Sequence, residues 1–440
     1  MRGLRRWASD TAGGLPPTFW YLWAGTLINR LGAFVIVFLA IYLTTERGFS
    51  ASYAGLVLGI YGAGAALGVL AGGVLADRWG RRPTLLTAHL GAATAMLALG
   101  LVRDRYAIAV GALLLGMFAE GARPAFSAMM VDVVPERDRL RAFTLNYWAI
   151  NLGFACSAVL AGVLAEAGYL LLFVGDAATT LITAAIVLTR IRETRPVRET
   201  RPVRAGHRPV AGGTAARPGL RAVFGDRVFA VFVGLNLLIA LLFMQHLSTL
   251  PIAMGRDGLS PATYGSVIAL NGVLIVAGQL FIPRLVRDRD RSRTLAFSAV
   301  VIGLGFGLTA FADTAAVYAL TVLIWTLGEM LNSPSNSTLI AELSPAALRG
   351  RYQGVYSLSW SVAAFAAPVV GGYVQQHAGN AVLWLACAAI GGFVGAAHLA
   401  SGPSRERRTA ELRAQELARS TQLFKSRGVD RAGTPQLLKS

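Results

Sequence analysis

Twelve blocks of about 20 predominantly apolar residues divide the sequence, and this division limits its fold more than any other feature. A helix of about 20 apolar residues crosses the roughly 30 Å hydrocarbon core of a bilayer. Backbone groups in lipid have to be paired within the segment, which favours helices. The blocks therefore predict an all-α integral membrane protein with transmembrane helices at approximately 18–43, 52–76, 84–102, 107–132, 141–165, 169–189, 228–250, 262–283, 294–312, 315–341, 350–374 and 380–400.

Composition argues against a soluble protein, because only 15% of the residues are charged and 55% are hydrophobic. Soluble domains carry about 25% charged residues. The net charge of +18 could indicate nucleic acid binding, but the basic residues lie between the apolar blocks. We therefore expect no nucleic acid partner. The two cysteines fall inside apolar blocks, so we expect no metal site.

The distribution of Lys and Arg predicts the orientation, since cytoplasmic loops of membrane proteins carry an excess of both. With the N-terminus inside, four of the 41 basic residues lie in external loops, namely Arg47, Arg103, Arg105 and Arg256. Two more lie within spans, and the other 35 are cytoplasmic. We therefore predict a multi-pass protein of a bacterial cytoplasmic membrane with both termini in the cytoplasm.

A basic segment at 190–226 separates two halves of six spans each. It contains the tandem repeat ETRPVR–ETRPVR at 193–204, together with several prolines, which is typical of a disordered linker. The predicted organisation has five parts. They are a cytoplasmic N-terminal tail (1–17), an N-terminal six-helix bundle (18–189), the cytoplasmic linker (190–226), a C-terminal six-helix bundle (227–400) and a cytoplasmic C-terminal tail (401–440) that is helical near 404–422.

The two halves repeat each other at an offset of 210 residues. An acid matches an acid at Asp132 and Glu342, and identical residues recur in pairs such as Gly48 and Gly258, Pro124 and Pro334, Arg139 and Arg349, and Gly162 and Gly372. Parallel repeats of this kind form two pseudo-symmetric bundles. We expect a substrate site near the middle of the membrane, between them.

The connection between spans 2 and 3 has the sequence GGVLADRWGRRP, residues 72–83. An acid ends the second span, a glycine allows a tight turn, and two arginines hold the loop in the cytoplasm. Read alone, the segment could be an ordinary basic loop.

This segment resembles the signature loop of the major facilitator superfamily, G-x-L-a-D-r-x-G-r-k, with Arg82 in place of the usual lysine. With the twelve spans and the repeat, the resemblance covers about 18–400. It implies two bundles that rock around a central cavity, and an ion network that controls gating. The residues implied for that network are Gly73, Asp77, Arg78, Gly80, Arg81, Arg82 and Asp132. The corresponding loop of the second half, 283–288, lacks the glycines.

Charged residues within the spans are candidates for function, because an ionised side chain at the bilayer centre costs on the order of 2.5–3.5 kcal/mol. Glu120, Glu329 and Asp176 are the proton-coupling candidates. Arg30 or Arg123 could tune the acid, although either could instead form a static pair with Glu120. The resemblance places spans 1, 4, 7 and 10 around the cavity. The cavity or substrate candidates are Asn29, Arg30, Arg123, Trp148, Asn151, Gln245, His246, Asn271, Asn332 and Trp360, and the helix-packing candidates are Gly153, Gly162, Pro368, Gly371 and Gly372.

Within the superfamily, the chain looks most like twelve-helix proton-coupled exporters of drugs. Motifs of hydrolases, metalloproteases and Walker loops are absent from the sequence, so we expect no enzyme activity and no cofactor. We expect a monomeric secondary active transporter that exports small hydrophobic compounds, driven by the proton motive force. The alternatives are uptake or uniport of a metabolite or sugar, and a non-transporting receptor or assembly factor on the same fold.

Overall fold

A computed structural model describes residues 13–194, 223, 225–278, 281–282, 285, 289–345 and 348–429. Within this part of the chain, twelve helical spans are long and apolar enough to cross a membrane, which confirms the predicted fold class. We number the helices by span. They are α1a (Pro17–Leu31), α1b (Phe34–Ile41), α2 (Ala51–Arg78), α3 (Arg81–Leu101), α4 (Arg105–Val133), α5 (Arg139–Ala167), α6 (Leu170–Arg190), α7a (Arg227–Phe243), α7b (Gln245–Ser248), α7c (Leu250–Arg256), α8 (Pro261–Gly278), α9 (Arg291–Leu308), α10 (Ala315–Leu343), α11 (Arg349–His377), α12 (Asn380–Ala400) and α13 (Gly402–Val429).

Several sequence predictions fall outside the described residues. They concern the first twelve residues, the linker between 195 and 222, the end of the tail after 429, and most of the loop 283–288. The proposed domain boundaries at these places stay predictions.

The connections between spans lie on two faces of the bundle. We call the face with loops 79–80 and 134–138 and the start of α13 the basic face. The opposite face carries the loops 102–104 and 257–260. Helices on both faces begin at residues whose side chains accept hydrogen bonds from the first backbone N–H groups, which fixes where these spans start. These capping residues are Ser50, Asp104, Asp226 and Asp290.

The two halves meet through glycines near the opposite face. A Cβ atom on Gly55 of α2 would lie 2.1 Å from the carbonyl oxygen of Pro368 in α11. A Cβ atom on Gly265 of α8 would lie 2.2 Å from the carbonyl oxygen of Ala158 in α5. The backbones of the two halves are therefore in direct contact at both seams, and this contact closes the space between the halves at the opposite face.

Two spans are broken, which the continuous apolar pattern did not predict. The first span is interrupted at Gly32 and Ala33, between α1a and α1b. The seventh is interrupted at Met244 and again at Thr249. Hydropathy averaged over a span does not reveal such breaks, because each span stays apolar overall although polar residues such as Arg30 and Gln245 lie beside them.

The C-terminal helix α13 packs against the second half. The Arg408 side chain forms an ion pair with Asp226 (3.2 Å), and that of Arg413 pairs with Glu342 (2.8 Å). Arg405 is buried and donates a hydrogen bond to the Ser292 hydroxyl (2.9 Å). Burial lowers the pKa of its guanidinium group. The tail is thus a longer helix than predicted, and its first turns are fixed to the bundle.

We predict that Gly55→Ala lowers the midpoint of thermal unfolding of the purified protein. Overpacking a contact of this kind costs about 1–3 kcal/mol, because a backbone carbonyl cannot move aside as a flexible side chain can. Gly392→Ala is the matched control, since a Cβ atom there meets open space. Equal unfolding midpoints for the two variants in the same detergent would contradict the packing described here.

Candidate functional site

An ion pair joins α3 to α4 on the basic face. Arg81 Nε lies 3.0 Å from Asp132 Oδ2, and the Thr194 hydroxyl donates a hydrogen bond to the same oxygen (3.0 Å). Asp132 occupies the last turn of α4, so its position follows from the length of that helix. Asp77, another residue of the network implied by the resemblance, is exposed at the end of α2 and is not part of this ion pair.

Sequence reasoning missed Glu193, which completes the turn between α2 and α3. Its two carboxylate oxygens accept hydrogen bonds from the backbone N–H groups of Arg81 (2.9 Å) and Arg82 (3.0 Å). A carboxylate at a helix N-terminus satisfies free N–H groups and the helix dipole. Gly80 is required here, because its φ is +116° and a Cβ atom would lie 2.4 Å from the Glu193 carboxylate. The only sequence signal was an acid directly after the sixth span.

The second half repeats the ion pair. Arg291 and Glu342 lie 210 residues after Arg81 and Asp132, and they form the corresponding contact between α9 and α10. Asp290 takes the position of Gly80, and its own side chain accepts the Arg293 N–H (2.7 Å). The ion pair is therefore present in both halves, although the described part of the second loop has no glycine turn.

Glu329 lines a cavity between the two halves. The cavity has a volume of about 200 Å³, and its walls come from α5, the end of α8, residue 282 and α10. Asn271 Nδ2 donates hydrogen bonds to Glu329 Oε2 (2.9 Å) and to the Thr326 hydroxyl (3.1 Å). Among the described residues, no cationic side chain pairs with Glu329. The lining residues are Tyr147, Ile275, Ile282, Glu329, Met330, Ser333 and Pro334.

Glu120 has a cationic partner on its own helix. Arg123 Nη1 lies 3.6 Å from Glu120 Oε2, and the Arg123 side chain is 75% exposed. Arg30 instead lies against α5, where a Cβ atom on Gly153 would be 2.5 Å from the Arg30 Cβ. Of the two static pairs considered from the sequence, the structure contains the one with Arg123.

Asp176 supports the break in the first span. The side chain is buried, and its Oδ2 accepts the N–H of Val35 (3.1 Å) in the first turn of α1b. Gly32 lies so close to α6 that a Cβ atom would be 1.8 Å from the Thr179 hydroxyl. Asn29 Nδ2 donates to the Thr180 hydroxyl (3.1 Å), so it also faces α6. Asp176 and Asn29 therefore belong to the packing between spans 1 and 6.

Three further cavity candidates are engaged in contacts within the second half. Gln245 Nε2 donates to the carbonyl oxygen of Ala367 (3.1 Å), which fixes the broken seventh span to α11. His246 is buried, and its ring packs against Trp325 at a centroid distance of 5.7 Å. Asn332 Nδ2 donates to the Ser298 hydroxyl (3.0 Å) between α9 and α10.

The remaining candidates lie at seams or on their own helices. Asn151 Nδ2 donates to the carbonyl oxygen of Tyr147 one turn earlier (2.9 Å), and the ring of Trp360 lies 6.0 Å from that of Phe243. Trp148 lies in α5 and Arg78 ends α2. The glycines and proline expected to pack helices lie close to other helices, at positions Gly153, Gly162, Pro368, Gly371 and Gly372. A Cβ atom on Gly73 of the signature loop would lie 3.9 Å from the Pro124 Cβ, which is an ordinary contact distance.

The family model described as Major Facilitator Superfamily matches residues 22–368, and again 248–431. The chain belongs to the major facilitator superfamily. It is therefore a multi-pass membrane transporter and not an enzyme, as the sequence resemblance predicted.

Three relatives with curated descriptions come from bacteria. The chain is 27% identical over 380 residues to an uncharacterized MFS-type transporter, YttB, of Bacillus subtilis, covering 84% of this chain and 91% of the relative. It is 25% identical over 339 residues to multidrug resistance protein MdtH of Enterobacter sp., covering 76% and 81%. It is 24% identical over 362 residues to a Na⁺, Li⁺, K⁺/H⁺ antiporter of Planococcus maritimus, covering 76% and 84%.

Solved transporters share the fold. The POT family transporter PepTSo superposes with a TM-score of 0.74 at 16% identity, covering 89% of this chain and 99% of that one. The nucleoside transporter NupG gives 0.72 at 16% identity, covering 88% and 99%. At this identity the likeness concerns architecture alone.

We predict that Asp176→Leu destabilises the protein by about 1–3 kcal/mol, because it leaves the buried Val35 N–H without an acceptor. Asp176→Asn keeps an acceptor oxygen at the same place and is expected to have a smaller effect. Hydrogen exchange of the amides at 34 and 35 measures the local change. Similar exchange in both variants would show that Asp176 does not cap α1b.

We also predict that Glu193→Ala weakens the first turn of α3, since losing an N-cap costs about 0.5–2 kcal/mol. The measurement is hydrogen exchange of the backbone amides of Arg81, Arg82 and Thr84. Glu166→Ala, an exposed acid at the other end of the bundle, is the control. Unchanged protection of these amides in Glu193→Ala would rule out the capping role.

Proposed function

We propose that this chain is a secondary active transporter that exports small hydrophobic compounds in exchange for protons. It would act in a bacterial cytoplasmic membrane, with the basic face in the cytoplasm. The proton motive force would drive it without a cofactor, and a single copy of the chain would suffice.

The observation that carries the proposal is Glu329 in its cavity. An ionised carboxylate without a cationic partner is costly inside a membrane. A proton or a cationic group of a substrate would remove that cost. Because one carboxylate cannot hold both at full occupancy, binding of one favours release of the other, which is the basis of exchange. Asn271 holds the carboxylate towards α8 in either case.

The cavity walls support a hydrophobic substrate. Ile275, Ile282 and Met330 supply apolar surface around the acid, while Tyr147 and Ser333 supply a few hydroxyl groups. A sugar requires many hydrogen-bonding groups along the cavity. Asn332 and Asn336, which could have served that purpose, hydrogen-bond to each other inside the second half. The relatives named as a multidrug resistance protein and as a cation/proton antiporter also support export coupled to protons.

The closed opposite face supports a state that loads substrate from the cytoplasm. With the basic face inside, contacts such as Gly55 against Pro368 close the external side. The conversion to the outward-open state would separate these glycine seams and bring Asp77 towards the start of α11. The positive end of that helix dipole would attract the carboxylate. The Arg81–Asp132 pair would hold the neighbouring loop in place throughout.

Of the three acids within spans, we propose Glu329 as the proton carrier. Asp176 is committed to a backbone N–H, and Glu120 already has Arg123 as a counter-ion. Glu120 is the second candidate, because its pair is partly exposed to solvent and can open.

The test uses everted vesicles with a respiration-driven pH gradient and a fluorescent pH reporter. Lipophilic cations, neutral antibiotics and sugars are added in turn. We predict that one hydrophobic class dissipates the gradient in the wild type, and that Glu329→Gln reduces this response at least about tenfold, which corresponds to losing about 1.4 kcal/mol of coupling. Glu166→Gln, at an exposed site, should respond as the wild type does.

Three results would contradict the proposal. A full response in Glu329→Gln would remove this acid as the carrier. Dissipation by sugars alone would favour uptake of a metabolite. Substrate binding in the wild type without any proton movement would favour uniport or a non-transporting receptor. Unfolding midpoints of each variant in detergent show whether a lost response reflects a misfolded protein.

A further inference from the structure

A groove lies on the outer surface of the second half, where α9 begins at the basic face. Its volume is about 390 Å³, and α9 and α10 form its walls with three residues of the preceding loop. It is separate from the cavity of Glu329. Leu331 lines the groove, whereas Glu329 and Met330 line the cavity, so the two spaces lie on different sides of α10. The groove residues are Leu285, Arg289, Asp290, Arg293, Thr294, Phe297 and Leu331.

The end of the groove nearest the basic face carries unbalanced positive charge. Arg289 and Arg293 are both exposed. Neither guanidinium group forms an ion pair among the residues that the structure describes. Asp290, the acid beside them, caps α9 by accepting the N–H of Arg293 and offsets one of the two charges, so this end of the groove keeps a net charge of +1. The two guanidinium groups can therefore bind an anionic group at the end of the groove nearest the basic face.

The other end of the groove is apolar and continues along α9. Phe297 is 60% exposed, and Leu304 is 51% exposed on the same side of the helix, seven residues later. Leu308, four residues further on, is 40% exposed in the same direction. An apolar stripe thus runs from the two arginines into the depth of the membrane. A ligand with an anionic head and a long apolar chain matches both parts.

The first half lacks this combination, which argues against a general consequence of the repeat. At the positions 210 residues earlier, Trp79, Pro83 and Thr87 replace Arg289, Arg293 and Phe297. The arginines that the first half does have at this turn are engaged. Arg81 pairs with Asp132, and Arg82 donates to the carbonyl oxygen of Leu188 (2.6 Å).

We propose that this groove binds an anionic phospholipid of the cytoplasmic leaflet, with its phosphate on Arg289 and Arg293 and an acyl chain along Phe297. The leaflet assignment rests on the proposed orientation, in which the basic face is cytoplasmic. Basic pockets between helices on that side bind anionic headgroups. The lipid would contact α10 on the side away from Glu329, and thus brace the helix that carries the proposed proton site.

The experiment counts lipids retained by the purified full-length protein in native mass spectrometry. The protein is exchanged into detergent with phosphatidylglycerol or with phosphatidylcholine. We expect selective retention of phosphatidylglycerol by the wild type. An arginine near a charged leaflet contributes about a fivefold change, so the double variant Arg289→Gln/Arg293→Gln should bind roughly thirtyfold more weakly. The matched control is Arg227→Gln/Arg407→Gln, which removes two exposed arginines outside the groove.

Two further arms separate a lipid from a free anion. Phe297→Ser keeps the arginines and removes the apolar contact, so it should weaken retention of phosphatidylglycerol. Millimolar inorganic phosphate should not displace the lipid from the wild type. Displacement by phosphate, together with an unaffected Phe297→Ser variant, would show a site for a free anion and overturn the proposal. Equal retention in the groove variant and the control variant would overturn it as well. No transport is measured, so either result leaves the proposed export function standing.

Discussion

The need to pair every backbone polar group inside the membrane governs this structure. It makes helices the form of all twelve spans, and it also determines what has to surround the places where a helix is interrupted. The first span stops at Gly32 and restarts at Phe34, and the restarted helix has an N–H group that lacks a partner within its own turn. Asp176 supplies that partner from the sixth span. In the seventh span, Gln245 follows the first break, and its amide donates a hydrogen bond to the backbone of α11, which fixes the broken span to that helix. A polar residue within a span is a natural candidate for a role in transport. It can instead be needed only to pair a backbone group where a neighbouring helix is interrupted, as Asp176 does.

Glu329 differs from the other two acids within spans in the partners of its carboxylate. Asp176 is bound to a backbone N–H, and Glu120 faces Arg123 one turn away. Glu329 has an amide donor in Asn271 but no cation among the described residues, and it faces a cavity. An acid that is held by a neutral donor keeps its place in both protonation states. For that reason the geometry favours Glu329 for a reaction in which a proton has to arrive and leave repeatedly.

The sequence predicted the architecture well, because the length of the apolar blocks reflects the thickness of the bilayer directly. All twelve spans and the superfamily are confirmed. Contacts between segments that lie far apart in the sequence were harder to predict. Glu193 lies more than 100 residues after the turn that it caps, and nothing in its local sequence indicates that role. Asn29 and Asn332 were expected at the cavity because polar residues are rare in spans, but both hydrogen-bond to a neighbouring helix. A single sequence shows which residues are polar, whereas only the packing shows which way they face.

The docking of the C-terminal helix has a consequence for how motion in this protein could be observed. Arg405, Arg408 and Arg413 attach α13 to α7a, α9 and α10, all of which belong to the second half. Residues 193 and 194 are attached in the same way to α3 and α4 of the first half. Each bundle therefore has a segment attached to it on the basic face, residues 193–194 on the first half and α13 on the second. A pair of spectroscopic labels, one on each attached segment, would report a change in the angle between the two bundles as a change in a single distance. No label would be needed inside the cavity or along the glycine seams.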